Sequence, residues 1–410
     1  MPVQPAKMQE QPDYRGLVAR LPYGKAGSRP QESGPEYRNR NKLKARNTKR
    51  ESQIDSVDPA TFQSLLLIWF DKNQRDLPWR RRFDPYAIWL SEVMLQQTRA
   101  EVVRNRYTSF LERFPDMASL AAANEEEVLA AWSGLGYYRR ARNLHAAARW
   151  IVERHEGLFP QDPAAATALP GIGRYTAHAV LSIAYQLPLA AVDGNASRVL
   201  SRLCLLPTRS VGRVWEEADR LLDAERPGHA NQALMELGAM VCLPVKPACA
   251  RCPVAIVCAA HRSGRVSEFP PVIARPQVKS ERTTIWIVRD RRGWYWLEHR
   301  EIAPLSGLWM LPWRAGDAMM ETSLAVGSVS HAIMNRRYRC EIYETAGPPR
   351  SIPGASAGPG EWVASEKIDT LPHSSLLRKC LRLVPKGPMR SFGQPRSSVR
   401  LMFRSAESRS

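Results

Sequence analysis

From Asp58 onward, apolar positions recur with the period of an α-helix. Asp58-Pro59 has the form of an N-cap followed by proline at the first helical position, and Phe62, Leu65, Leu66, Trp69 and Phe70 then fall on one face. The same period predicts helices over 88–110, 125–132, 139–155, 176–185, 195–203, 214–222 and 230–240, joined by short Gly, Pro or Asp turns. Strand patterns are nearly absent here, so residues 55–262 read as an all-α unit. The period changes after His261. Residues 263–281 (SGRVSEFPPVIARPQVKSE) are rich in Pro and basic residues and have no period, as befits a linker. Beyond it, TTIWIVRD, GWYWLEHR, VGSVSHAIM and YRCEIYE alternate and favour β-branched and aromatic side chains, which predicts strands. A short helix over 374–382 completes an α+β module at 282–384.

The flanks differ from both. Residues 1–54 carry no apolar period, and their first fifty hold twelve Lys and Arg against four Asp and Glu. They read as a disordered basic extension, either a plain solvated tail or an arm that touches phosphates. Residues 385–410, rich in Ser, Arg and Pro, read as a disordered tail. Over all 410 residues, 59 Lys and Arg against 40 Asp and Glu give a net charge of +19. Such a balance calls for an anionic partner, nucleic acid or an acidic membrane surface. No run of about 18 uncharged apolar residues exists, which excludes a membrane-spanning helix. The start MPVQPAKMQEQPDYRG lacks the apolar core of a signal peptide, so a cytoplasmic location is expected, with a monomer as the default state.

Three local patterns carry chemistry. Cys242, Cys249, Cys252 and Cys258 form C-x6-C-x2-C-x5-C, which outside an oxidising compartment reads as a metal site. Zinc is the plainer occupant, but its usual fingers pair C-x2-C with C-x2-C or with histidines; this spacing favours iron–sulfur. LPGIGRYTA (169–177) joins two predicted helices through Gly171 and Gly173, a helix-hairpin-helix pattern whose free amides can receive a phosphate. About twenty residues on, Asp193-Gly194-Asn195 places a carboxylate before a helix. Taken alone, that is an N-cap.

In this order, the three patterns resemble the helix-hairpin-helix DNA glycosylases that carry a [4Fe–4S] centre. Two further stretches, RDLPWRRRFDPYAIWLSEVMLQQTRAEVV (75–103) and GLGYYRRARNLHAAA (134–148), resemble the MutY family of adenine DNA glycosylases. The resemblance runs over about four-fifths of the chain (58–383). It implies a six-helix module at about 75–186 and an iron–sulfur module made of the N-terminal helix with 187–262. It also implies a Nudix-like C-terminal domain, for which LSGLWMLP (305–312) and VSHAI (329–333) speak, without the acidic box of a Nudix hydrolase.

The resemblance implies a base-excision-repair enzyme of the bacterial nucleoid that removes adenine opposite 8-oxoguanine, or opposite guanine, from duplex DNA. Glu92 is then the acid that protonates adenine. Asp193 is the carboxylate that stabilises the sugar cation, and Tyr175 and Asn195 orient the intermediate. The target base must leave the stack first. Relatives of the endonuclease III type hold a Schiff-base lysine in the slot of Tyr175, so a monofunctional glycosylase is implied. Gln97 and Tyr137 are implied to fill the stack, and Arg75, Trp79, Arg80 and Glu236 to line the adenine pocket. Ser330 and His331 are implied to read 8-oxoguanine, although Val329 stands where the family carries an aromatic. Core packing is the plainer reading for Trp79 and Tyr137. A thymine–guanine mismatch glycosylase and a non-catalytic DNA-binding redox sensor are the rival functions; Glu92 within SEVMLQQT and the appended C-terminal module argue against the first, and the presence of both Glu92 and Asp193 argues against the second.

Overall fold

The computed structural model describes residues 57–384 except 208–210, 272–277, 302–303, 317–322, 334 and 346–358. The two expected disordered flanks, 1–54 and 385–410, lie outside the described residues. The described residues fall into two compact units: those up to 122 with those of 143–271, and those of 123–142 with those from 278 on.

The first unit is helical. It opens with α1 (Pro59–Asn73), capped by Asp58, whose Oδ2 accepts from Thr61 N at 2.8 Å. There follow α2 (Pro85–Leu95), α3 (Ala100–Arg113) and α4 (Met117–Ala122). The second unit contributes α5 (Glu125–Ala131), and α6 (Arg139–Arg154) comes next in the chain. The first unit continues with α7 (Pro163–Ala168), α8 (Arg174–Tyr185), α9 (Gly194–Leu203), α10 (Val211–Leu221), α11 (Pro227–Met240) and α12 (Ala259–Arg262). One core joins Phe62, Leu66 and Phe70 of α1 to Val199, Leu200 and Leu203 of α9 and to Ala233, Leu234 and Leu237 of α11. Helix α2 is buried on all sides, from Tyr86 to Met94, and packs against α8. A helix apolar all round belongs in such a place, and a carboxylate on it is conspicuous.

The single helix expected over 88–110 is two helices. Gln97 stands between them at φ 55, a left-handed conformation that interrupts the backbone ladder. Among the described residues, no helix is long and apolar enough to cross a membrane.

In the second unit, β4 (Trp313–Ala315), β1 (Lys279–Val288), β6 (Arg336–Thr345) and β5 (Leu324–Ile333) form one sheet in that order. Strands β1 and β6 are parallel, and the other two pairings are antiparallel. A second, antiparallel sheet runs β3 (Leu308–Met310), β2 (Tyr295–Arg300), β7 (Gly360–Val363). Helix α13 (Ser375–Leu381) buries Leu376, Leu377 and Cys380 against Ile285, Leu297, Cys340 and Ile342. Strand β1 begins at Lys279, inside the expected linker, because pairing with β6 extends the ladder to Arg336.

Residues 123–142 were expected within the helical core, yet their contacts group them with the strands. Tyr138 packs against the core of the strand unit, and polar contacts add to this. Tyr138 donates to the carbonyl of His373, Arg142 donates to Ser306 O at 2.8 Å, and Trp309 Nε1 donates to Glu126 at 3.1 Å.

Candidate active site

Three elements of the helical unit bring Glu92, Tyr175 and Asp193 to one place. Glu92 comes from the buried α2 and is 7% exposed. Tyr175 lies in the first turn of α8, and its hydroxyl stands 2.5 Å from Glu92 Oε2 and 3.3 Å from Met235 Sδ. The hydroxyl has one proton, and a carboxylate oxygen is a better acceptor than a thioether. Burial raises the Glu92 pKa, the Tyr175 hydrogen bond opposes it, and the charge of Asp193 raises it further, giving about 7. Glu92 therefore holds a proton near neutrality, the condition for a general acid.

Asp193 is the N-cap of α9. Its Oδ1 accepts from Ala196 N at 2.7 Å and its Oδ2 from Asn195 Nδ2 at 2.9 Å. Burial raises its pKa, and these hydrogen bonds work against the rise. The N-cap reading is thus correct geometry, but it leaves a half-buried carboxylate within electrostatic reach of Glu92.

Several residues that fix this geometry escaped the sequence reading. Asn231, on α11, accepts from Ala191 N at 2.9 Å and donates to Leu189 O at 2.8 Å and Ser182 Oγ at 2.9 Å, so it holds the turn that leads into Asp193. Arg198, one turn into α9, donates to Asn195 Oδ1 at 2.9 Å, Gly238 O at 2.8 Å and Cys242 O at 2.8 Å. Gly238 allows α11 to approach, since a Cβ there would lie 2.6 Å from Asn195 Cβ. A buried polar residue with every partner matched is visible only once the helices are packed.

The far end of α9 meets the cysteines. Arg202, 4% exposed, donates to Cys242 Sγ at 3.3 Å and to the carbonyls of Leu243, Pro244 and Phe269. Cys242, Cys249, Cys252 and Cys258 line one cavity together with Arg202 and Pro247. Among the described residues no three His, Cys, Asp or Glu side chains are placed to hold a single ion. Four thiols that line one cavity, with a guanidinium donating to one sulfur, are a donor set suited to a thiolate-ligated group.

The expected pocket residues form an ion triad. Glu236 is 1% exposed and takes hydrogen bonds from Arg75 Nε (2.9 Å), Arg75 Nη2 (2.7 Å), Arg80 Nη1 (3.1 Å), Arg80 Nη2 (2.9 Å) and the Arg75 amide (3.0 Å). Burial pushes its pKa up, but the hydrogen bonds from Arg75 and Arg80 outweigh it and hold the pKa at about 2. Trp79 is buried, edge-on to Tyr107 with ring centroids 5.7 Å apart, as core packing would have it.

The remaining expected residues fall into three groups. Gln97 and Tyr137 are both exposed and both left-handed, at φ 55 and 49; such strain in a non-glycine residue often marks a functional position. Gly171 has φ 74 in the hairpin turn, where a Cβ would lie 2.6 Å from Asn143, and Gly173 is the N-cap of α8. Ser330 and His331 are successive residues of β5, so their side chains leave opposite faces of the sheet. Ser330 is exposed, while His331 faces α13, with Lys379 Nζ 3.4 Å from its Nδ1 and 3.3 Å from Ser330 O. Burial, and then the Lys379 charge, lower the His331 pKa to about 4.

Comparison with known proteins places this arrangement. The family model of HhH-GPD superfamily base excision DNA repair proteins matches residues 90–223, a span that holds Glu92, Tyr175 and Asp193. The chain is 31% identical over 244 residues to an adenine DNA glycosylase of Buchnera aphidicola subsp. Baizongia pistaciae, covering 58% of this chain and 70% of that protein. To the adenine DNA glycosylase of Rattus norvegicus it is 45% identical over 233 residues, 53% of this chain and 45% of that one. It therefore spans just under half the length of the rat relative. A solved thermostable thymine-DNA glycosylase is similar at 28% identity and a TM-score of 0.48, covering 53% of this chain and 99% of that one. The chain belongs to the MutY-type adenine DNA glycosylases.

Proposed function

We propose that the protein excises adenine mispaired with 8-oxoguanine, or with guanine, from duplex DNA as a monofunctional glycosylase. The observation that carries this reading is the hydrogen bond from Tyr175 to a buried Glu92 whose pKa is about 7. Because Tyr175 donates to Oε2, the carboxyl proton of Glu92 is left for Oε1 and for the flipped base. Transfer of that proton to a ring nitrogen lets adenine depart neutral, taking the electron pair of the glycosidic bond. The new carboxylate keeps the Tyr175 hydrogen bond.

The sugar that remains resembles an oxocarbenium ion, and Asp193 supplies the negative charge it needs, directly or through a transient acetal. Water then attacks the anomeric carbon and its proton returns to Glu92. One carboxyl protonated beside one ionised is a division of labour set by environment. No amine occupies position 175, so an imine with the sugar, and the strand break that follows from it, has no nucleophile there.

The four cysteines fit a [4Fe–4S] cluster, which would add redox-active, structure-bearing iron to this unit. Arg202 would hold the Cys242 sulfur, and Arg198 would carry the position of that loop to Asn195. Arg75, Arg80 and Glu236 would form a rigid wall of the base pocket, with Gln97 and Tyr137 reaching into the stack. The α+β unit would be the Nudix-like module that reads 8-oxoguanine, through Ser330.

The test is release of free adenine from a duplex with adenine opposite 8-oxoguanine, compared with Asp193→Asn. Retained duplex binding with no release in the variant is the expected result. Release by the variant at the parent rate removes Asp193 from the chemistry.

A further inference from the structure

The segment between α8 and α9 runs into Asp193 as neither helix nor strand, so its buried backbone groups need partners from side chains. Ala190 and Ala191 are each only 1% exposed. Asn231 of α11 takes up Leu189 O and Ala191 N. The carbonyl between them, Ala190 O, lies 2.7 Å from Nδ1 of His178 on α8. Three successive residues are thus pinned, and the last of them stands two places before Asp193.

The His178 ring is held on a second side as well. Trp215 of α10 meets it edge-on, with ring centroids 5.6 Å apart. Trp215 in turn carries the Arg174 guanidinium 3.9 Å from its ring centroid, and Arg174 reaches Asp219 at 3.6 Å. A carbonyl oxygen can only accept, so Nδ1 carries a proton. Burial lowers the His178 pKa, the Ala190 hydrogen bond opposes this, and the charges of Arg174 and Asp219 pull in opposite directions. The ring is therefore neutral near pH 7, with its one proton on Nδ1.

A core histidine could do as much for stability alone. What gives His178 a further part is its place on α8. Tyr175, which donates to Glu92, lies three residues earlier and so on the same face of that helix. One turn of α8 holds the acid through Tyr175 and the approach to the carboxylate through His178.

We propose that His178 is a positioning residue for base release: acting through Ala190, it keeps Asp193 in register with Glu92. The inference rests on the excision chemistry proposed above, in which the two carboxyl groups act on one nucleotide. Without the imidazole donor, Ala190 O is left unpaired in a buried place. The segment then shifts to find water or another donor and carries Asp193 with it.

The test is single-turnover release of adenine opposite 8-oxoguanine by the full chain, with duplex affinity measured on the same preparations. His178→Leu fills the space without a donor and should slow release about 10- to 100-fold while duplex affinity is kept, as expected for a displaced catalytic group. His178→Asn attaches an amide nitrogen to Cγ, where Nδ1 stands, and should recover most of the lost rate. His178→Gln places its amide one carbon further out and should stay slow. A parent-like rate in His178→Leu, an Asn variant no faster than the Gln variant, or a loss of affinity that matches the loss of rate overturns the proposal. If His178→Leu does not fold, as judged by thermal melting, the comparison of Asn with Gln decides by the same criterion. A parent chain that releases no adenine defeats the function proposed above, and this inference with it.

Discussion

The Tyr175 hydroxyl donates to Glu92 Oε2 at 2.5 Å, joining the first turn of one helix to the middle of another that is buried on every side. The contact does two things at once. It tempers the rise in Glu92 pKa that burial causes, and it fixes which oxygen is free to carry the proton.

Glu92→Gln should abolish excision, a loss of at least about 10²-fold in the single-turnover rate. The same change should stabilise the fold at high pH. The folded protein holds the Glu92 proton up to about pH 7, whereas the unfolded chain releases it near 4.5. Native stability therefore falls as pH rises through that window, by about 1–3 kcal/mol. Urea denaturation at pH 5 and pH 8 checks this: Gln should remove most of the difference, and an unaltered difference would assign the slope to other groups.

Tyr175→Phe removes a hydrogen bond that favours the ionised form of Glu92. The Glu92 pKa should rise by up to about one unit, as a bond of this kind contributes about 1 kcal/mol. The alkaline limb of the single-turnover pH profile should move upward while the plateau rate falls. A limb that stays in place means that Glu92 is not the titrating acid.

Gly238→Ala would drive a methyl into Asn195, whose Nδ2 holds Asp193 Oδ2. A cost of about 1–3 kcal/mol is expected, as for other overpacked sites. The rate of base release should fall more than duplex affinity does. Thermal melting together with single-turnover kinetics separates the two effects, and a parent-like rate would show that Asn195 can yield without disturbing Asp193.

Glu236→Gln should destabilise the helical unit by about 3–5 kcal/mol, because Arg75 and Arg80 lose a buried partner. With its pKa held at about 2, Glu236 contributes stability that is complete above about pH 4.5 and is lost as pH falls through 2. Equilibrium denaturation at pH 7 and pH 3 should show the parent losing stability and the variant losing less.

Much of this site was legible in the sequence because local rules produced it. Asp58 and Asp193 sit where N-cap chemistry puts them, and Gly171 takes the left-handed turn that its place in the hairpin suggests. What stayed hidden depends on tertiary packing. The break at Gln97 has no Gly or Pro to announce it, and neither helical period nor charge pattern separates the two helices it divides. Arg198 and Arg202 look like the solvated face of α9 until their carbonyl partners, far along the chain, come together. Strands β3, β4 and β7, of three or four residues, are too short for an alternating pattern to register. The opposite directions of Ser330 and His331 follow from strand geometry, and a motif read as a unit conceals them.

The most direct test of the account is single-turnover reaction of a labelled duplex bearing adenine opposite 8-oxoguanine, each time point split and resolved with and without hot alkali. Breaks that appear only after alkali, with free adenine released in step, are the predicted result for a Glu92–Asp193 pair acting without an amine at position 175. Breaks of equal extent without alkali, or intact strands with no adenine released, would contradict it.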